Sequence, residues 1–192
     1  MTARETARAE LLAWEPADAG QRALRDDYVA LLDAHDDALL RSCFPDHLTA
    51  GALVLSPGLD AVLLNLHGKA RRWFQFGGHC EPGDASLLAA ATRETVEESG
   101  LTDLRIHPSP VQLSRHTVAF CDPRGPVDHL DVRYAALAPD AIDARASDES
   151  LDVRWWPLDD LPDLEPEMHE LISLARARLQ SAEDPSSLAP AE

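Results

Sequence analysis

The spacing of apolar and polar positions divides the 192-residue chain into three stretches. Over residues 1 to 44 the apolar positions recur at helical intervals. TARETARAELLAW comes first, and after Pro16 the side chains of Leu24, Tyr28, Leu31 and Leu32 fall on one stripe, so two amphipathic helices are expected, each needing a surface to dock on. From Asp46 the pattern changes to that of strands: HLTAGALVLS, a Pro57-Gly58 turn, and AVLLNL form a hairpin. VQLSRHTVAF, HLDVRYAAL and LDVRWWPLDDLP read as further strand segments, followed by a helix from about Glu165 to Gln180 and a polar tail. No internal repeat is evident. The expected organisation is an N-terminal helical extension over 1–44, a mixed α/β domain over 45–182, and a tail over 183–192.

Between the hairpin and the later strands lies FGGHCEPGDASLLAAATRETVEESGL, residues 76 to 101. Pro82-Gly83 suits a turn, Asp84 suits an N-cap, the residues from Ala85 to Ser99 are mostly good helix formers, and Gly100 stands where a glycine ends a helix. The expectation is a glycine-rich loop running into a helix of about four turns. Leu88, Thr92 and Val96 would line its packed side, while Glu94, Glu97 and Glu98 crowd a narrow arc on the other. Most charge runs are solvated helix faces. Here, however, like charges sit four residues apart at the negative end of the helix, where both effects are unfavourable. Three carboxylates on one arc make a hard oxygen site for Mg²⁺ or Mn²⁺, whose charge offsets their repulsion.

Gly78, Arg93-Glu94, Glu97-Glu98 and Gly100-Leu101 resemble the Nudix box, G-x5-E-x7-R-E-U-x-E-E-x-G-U, with U apolar. The five fixed residues of RETVEESG would recur by chance on the order of once per million start positions. The match has departures. Five residues on from Gly78 lies Asp84, whereas seven back from Arg93 lies Ala85, so the loop is one residue longer and the first glutamate is replaced or displaced. Thr95 stands at an apolar position. In the family that first glutamate is mainly structural, so the departure bears on loop shape more than on catalysis.

The resemblance runs from about residue 45 to 180 and includes RWWPLDDLP before the last helix. It implies a Nudix-type α/β/α sandwich with a mixed β-sheet, and a pyrophosphohydrolase that cleaves a phosphoanhydride bond in a small nucleoside diphosphate-linked compound. A divalent cation would neutralise the phosphate oxygens and activate the attacking water. Glu94, Glu97 and Glu98, with the Gly78 carbonyl, would hold the cation, and Arg93 would orient Glu94. Family enzymes place a further carboxylate before the last strand, and in SDESLDV the resemblance suggests Glu149, ahead of Asp148, as general base. Two other readings share the fold. One is a non-catalytic ligand sensor, although all three box glutamates are kept. The other is an isopentenyl diphosphate isomerase-like enzyme, for which no histidine-metal and catalytic-cysteine arrangement is evident in the sequence.

Charge and cysteine content narrow the picture. A net charge of −17 disfavours a stable nucleic-acid complex and leaves a phosphate substrate in need of a cation as intermediary. Cys43, Cys80 and Cys121 are widely spaced with no C-x-x-C pair, which argues against a disulfide framework or a zinc site. The N-terminal segment has no apolar leader-like run and no stretch approaches a membrane span, so a cytoplasmic location is expected. Lys69, Arg71 and Arg72 form a rare basic patch that could meet phosphates, and Trp73, within an alternation with Phe74 and Phe76 that usually includes core residues, could stack on a base. His79, His116 and His129 lie in or beside strands, where a lone histidine is more often structural, and Cys80 reads as a small packed residue. The helical extension would pack on the domain or form a homodimer contact.

Overall fold

The computed structural model describes residues 1–139 and 150–181, with the backbone of 189 and 190. The N-terminal stripes form helices α1 (Ala3–Ala13) and α2 (Ala19–Ala34). Thr2 and Glu5 close a capping box at the start of α1, and the Asp18 carboxylate accepts from Gln21 N–H at the start of α2. The strands are β1 (Asp46–Leu55), β2 (Ala61–His67), β3 (Trp73–Phe74), β4 (Phe76–His79), β5 (Arg105–Ile106), β6 (Gln112–Asp122), β7 (Gly125–Leu137), β8 (Ser150–Pro157) and β9 (Ala189–Pro190). Helix α3 (Leu87–Ser99) separates β4 from β5, and α4 (Pro166–Ser181) follows β8.

The main sheet runs β3-β2-β1-β7-β5-β9, with β4 also on β1, β6 on β7 and β8 on β2. β1 and β7 pair in parallel from Asp46↔Asp128 to Leu55↔Leu137, and the other described pairings are antiparallel. Alternation along β1 then divides the molecule into layers. Leu48, Ala50, Ala52 and Val54 enter one core with Ala7, Leu11, Tyr28, Leu32, Leu87 and Ala91. Leu53 and Leu55 enter the other with Met168, Leu171 and Ala175 of α4. This is the expected α/β/α sandwich.

The N-terminal helices build this core as well as cover it. Leu11, Tyr28 and Leu32 are fully buried, each side chain contributing roughly 1.5–3 kcal/mol of burial. Polar groups fix their register. Gln21 donates to Leu113 O at 2.9 Å and accepts from Leu113 N at 2.7 Å, and Tyr28 O–H donates to Ser114 O at 2.6 Å. Glu10 accepts from Leu87 N at 3.1 Å, so α1 supplies an acceptor to the first turn of α3. No helix among the described residues is long and apolar enough to cross a membrane.

Candidate active site

The site is built where β4 leaves the sheet and α3 returns along it. β4 lies so close to β1 that a Cβ on Gly51 would stand 2.2 Å from Phe76 O, and one on Gly77 would stand 2.7 Å from Gly51 Cα; Gly77 also has φ +153°. At Gly78 an added Cβ would lie 2.6 Å from Glu94 Oε2. The GG pair therefore lets two strands touch and lets a carboxylate of α3 reach the loop backbone.

The helix begins later than the sequence suggests. Ser86, not Asp84, is the N-cap: its hydroxyl accepts from Ala89 N–H at 3.0 Å, and the helix opens at Leu87. Asp84 is taken by Arg93, whose Nε and Nη2 reach its two carboxylate oxygens at 3.2 and 3.0 Å. The one-residue-longer loop thus still delivers a carboxylate to the arginine, with aspartate where the family pattern has glutamate. The packed side also differs from expectation. Leu87, Ala90, Ala91, Thr95 and Ser99 are buried, whereas Leu88, Thr92 and Val96 are only partly covered. Thr95 and Ser99 are tolerated there because each hydroxyl donates to the carbonyl four residues back at 2.6 Å, leaving small methyl and methylene surfaces for close packing. Gly100, at φ 67°, ends the helix as expected.

Arg93 organises the acidic side. Besides Asp84, its Nη2 donates to His79 O at 2.9 Å, and its Nη1 donates to Glu94 Oε1 at 2.9 Å and Glu97 Oε2 at 3.1 Å. Glu98 Oε2 accepts from Gly77 N–H at 3.0 Å. One guanidinium thus joins the loop to two box glutamates, and the third closes on the glycine pair. The side chains differ in exposure: Glu94 is 16% exposed and Glu97 59%. Burial pushes the Glu94 carboxyl up against the opposing pull of Arg93. For Asp84 burial acts upward too, but the hydrogen bonds from Arg93 and Glu81 N–H outweigh it and hold the carboxyl below its ordinary range. Arg93 itself is raised, chiefly by the Asp84 bond.

The other expected site residues are scattered. Arg72 is ion-paired with Glu165, and Trp73 packs edge-on to Trp156 with ring centroids 5.3 Å apart. Both line a cavity of about 320 Å³ with Asp163, Leu164, Glu165 and Pro166. Arg71 occupies a left-handed turn at φ 53°, and Lys69 lies over the exposed Phe120 ring, 5.4 Å from its centroid. Phe76 is fully buried and Phe74 partly so. Glu149 and Asp148 lie outside the described residues.

Two polar groupings escaped the sequence reading. Arg133, almost wholly buried, donates to Asp131 at 2.8 Å and Gln112 at 2.9 Å and pairs with Glu167 of α4 at 3.2 Å; Asp131 also accepts from Thr49 and Gln75. In the other, His47, His79 and His129 converge on Cys121, while His116 stays exposed with its ring 5.5 Å from that of His129. Both sets join residues far apart in the chain through neighbouring strands, and no local spacing announces them.

A family model described as the NUDIX domain matches residues 45–175. No curated protein matches the chain. Among solved structures, the chain is similar to a C. elegans Ap4A hydrolase in a binary complex, at 25% identity and TM-score 0.54 over 70% of this chain and 98% of that one. It is similar to the NUDIX domain of Shewanella oneidensis NrtR complexed with ADP ribose, at 26% identity and TM-score 0.53 over 69% and 87%. It shares its fold with a MutT NUDIX hydrolase from Burkholderia pseudomallei, at 22% identity and TM-score 0.50 over 67% and 97%. With the match covering the segment that carries Gly78, Arg93 and the three glutamates, the chain belongs to the NUDIX family and is a pyrophosphohydrolase of that kind.

Proposed function

We propose that this protein hydrolyses the phosphoanhydride bond of a small nucleoside diphosphate-linked compound, using Mg²⁺ or Mn²⁺ held by Glu94, Glu97, Glu98 and the Gly78 carbonyl. The observation that carries this reading is the gathering of Glu94 and Glu97 on one arginine beside the glycine loop, with Glu98 on the loop itself. The donor set fits such a cation: all its atoms are hard oxygens, and the missing Cβ at Gly78 leaves the Glu94 carboxylate against the loop backbone. Burial of Glu94 disfavours its charge, which a bound cation would relieve. When bound, the cation supplies neutralisation of the phosphate oxygens and activation of water for attack on phosphorus.

The chain's own residues position the reaction. Arg93 fixes Glu94 by a charge-assisted bond and ties it to the His79 carbonyl and Asp84, so the carboxylates are oriented before substrate arrives. Glu149 is proposed as the base that takes the proton from the attacking water. Arg71 and Arg72 would meet the diphosphate charge, and Trp73 would offer an aromatic surface to the base or sugar. Arg72 would exchange its Glu165 partner for phosphate. The substrate class is supported by similarity to an Ap4A hydrolase and to a domain complexed with ADP ribose, two compounds in which adenosine is linked through phosphates.

The test is a Mg²⁺-supplemented screen of nucleotide sugars, dinucleoside polyphosphates and nucleoside triphosphates, with products identified by mass spectrometry in ¹⁸O-water. Turnover with label in one product phosphate is expected. Binding of such a compound without hydrolysis would replace this reading with that of a ligand sensor.

A further inference from the structure

We propose that His47, His79, His129 and Cys121 form a Zn²⁺ site, separate from the carboxylates of α3, that clamps four strands together beneath the Gly78 loop. The four donor atoms lie within 4.8 Å of one another. Cys121 Sγ is 3.2 Å from His129 Nε2, 3.3 Å from His79 Nε2 and 3.9 Å from His47 Nε2. Donors at zinc bond lengths on a tetrahedron stand about 3.3–3.6 Å apart, so small adjustments would accommodate an ion at the centre. The imidazole centroids are 4.9–5.0 Å from one another, which places three rings around one sulfur.

The fold goes out of its way to make this arrangement. His47 is directly opposite His129 in the parallel β1–β7 pair, and His79 of β4 is opposite Thr49, which shares the side of β1 that His47 occupies. All three rings therefore project from one face of the sheet. Cys121 should not. His116 faces His129, and regular alternation from His116 to Cys121 would put the thiol on the opposite side of β6. The register shift between Val118 and Asp122 turns it onto the histidines, as bulges re-aim side chains elsewhere.

Ring chemistry points the same way. His47 Nδ1 is 3.1 Å from Cys43 O. A carbonyl can only accept, so Nδ1 carries the hydrogen and Nε2 presents a lone pair to the sulfur, the orientation that a backbone carbonyl gives to zinc-ligating histidines. Without an ion, one thiol, a weak donor and weak acceptor, must serve three ring nitrogens. With Zn²⁺ the thiol releases its proton to solvent as the thiolate–zinc bond forms, and all four groups are satisfied at once. Nitrogen and sulfur donors select zinc over Mg²⁺, whereas the oxygens of α3 have the opposite preference, so the two sites do not compete. Four protein ligands leave no open position, which makes this a structural centre. His79 joins it to the active site: its ring faces Cys121, its backbone follows Gly78, and its carbonyl accepts from Arg93.

The experiment uses untagged full-length protein expressed in zinc-containing medium and analysed for bound metals by plasma mass spectrometry. It is then stripped and titrated with Zn²⁺ or Co²⁺ in excess Mg²⁺. About one Zn²⁺ per chain is expected, retained in Mg²⁺, with a rise in melting temperature on reloading. The Co²⁺ form should show the strong visible bands of four-coordination and a thiolate charge-transfer band. Cys121→Ser and His129→Gln should lose the stoichiometric metal, while Glu98→Gln keeps it. The wild-type Co²⁺ spectrum stands whether or not the variants fold. Substoichiometric metal in the wild-type chain, a Co²⁺ spectrum lacking the sulfur band, or loss of zinc in Glu98→Gln but not in Cys121→Ser would overturn the proposal. Hydrolysis in Mg²⁺ is a separate readout, so failure here leaves the pyrophosphohydrolase reading to its own test.

Discussion

On either side of the Gly78–His79 peptide lie two donor sets built in opposite ways. The carboxylates come from one turn and a half of α3 and are gathered by one neighbour, Arg93. The histidines and Cys121 come from four strands and meet only because parallel and antiparallel pairings and a register shift coincide. The first set is hard, anionic and partly solvated; the second is soft, neutral and largely covered. A site made from one helix needs little of the fold to exist but needs a partner to hold its mutual repulsion. A site made from four strands needs the whole sheet, and strengthens that sheet when filled.

The two donor sets can be damaged separately, and the helix site should show the largest effect. Glu98→Gln should lower kcat by more than the roughly 10- to 100-fold that losing a partner of a metal ligand costs, with little change in melting temperature. A variant with near-native turnover would remove Glu98 from the site. Gly78→Ala separates position from stability. Its Cβ would displace the flexible end of Glu94 and not backbone, so activity should fall by up to ~100-fold while thermal unfolding changes little. If both are unchanged, Glu94 is not held where its contacts suggest. Asp84→Asn attacks the support of Arg93 and should cost about 1–2 kcal/mol in denaturant unfolding, discounted for the partial exposure of the arginine.

The strand set responds to pH. In metal-free protein the folded His79 and His129 lie at about 4 and about 3, below the ordinary 6.5. The unfolded chain therefore takes up protons first. Stability is fully present above pH 6.5 and is lost as pH falls from 6.5 toward about 3. Melting temperatures across that window should decline, and His129→Gln should flatten the slope. An unchanged slope would show that the buried rings do not set it.

How much of this the sequence discloses follows the same division. RETVEESG is legible because its chemistry is contiguous and its spacing matches one helix face. The succession of the longer strands, and the need of α1 and α2 for a surface to dock on, are legible in the apolar periodicity, since Leu11, Tyr28 and Leu32 must be buried somewhere. The helix start is ambiguous in the sequence because Asp84 is as good a cap as Ser86 until Arg93, nine residues on, claims it. The packed face is hidden in the sequence because Thr95 and Ser99 look polar, and only intrahelical hydrogen bonds make them buriable. HLTAGALVL is nearly continuous in apolar and small residues, so nothing in it says that His47 faces other histidines while Leu48 faces α1 to α3. The Arg133–Asp131 network and the His47–Cys121 set depend on strand register, which a single sequence does not specify.

On the proposed reading, the carboxylates of α3 bind the divalent cation on which hydrolysis depends. Its most direct test is the initial rate of ADP-ribose or diadenosine tetraphosphate hydrolysis against Mg²⁺ concentration, for the wild-type chain and Glu98→Gln side by side. The wild-type rate should be absent without added Mg²⁺ and rise to saturation, while the variant should need more Mg²⁺ and reach a far lower plateau. Turnover independent of Mg²⁺, or superimposable curves for the two proteins, would contradict it.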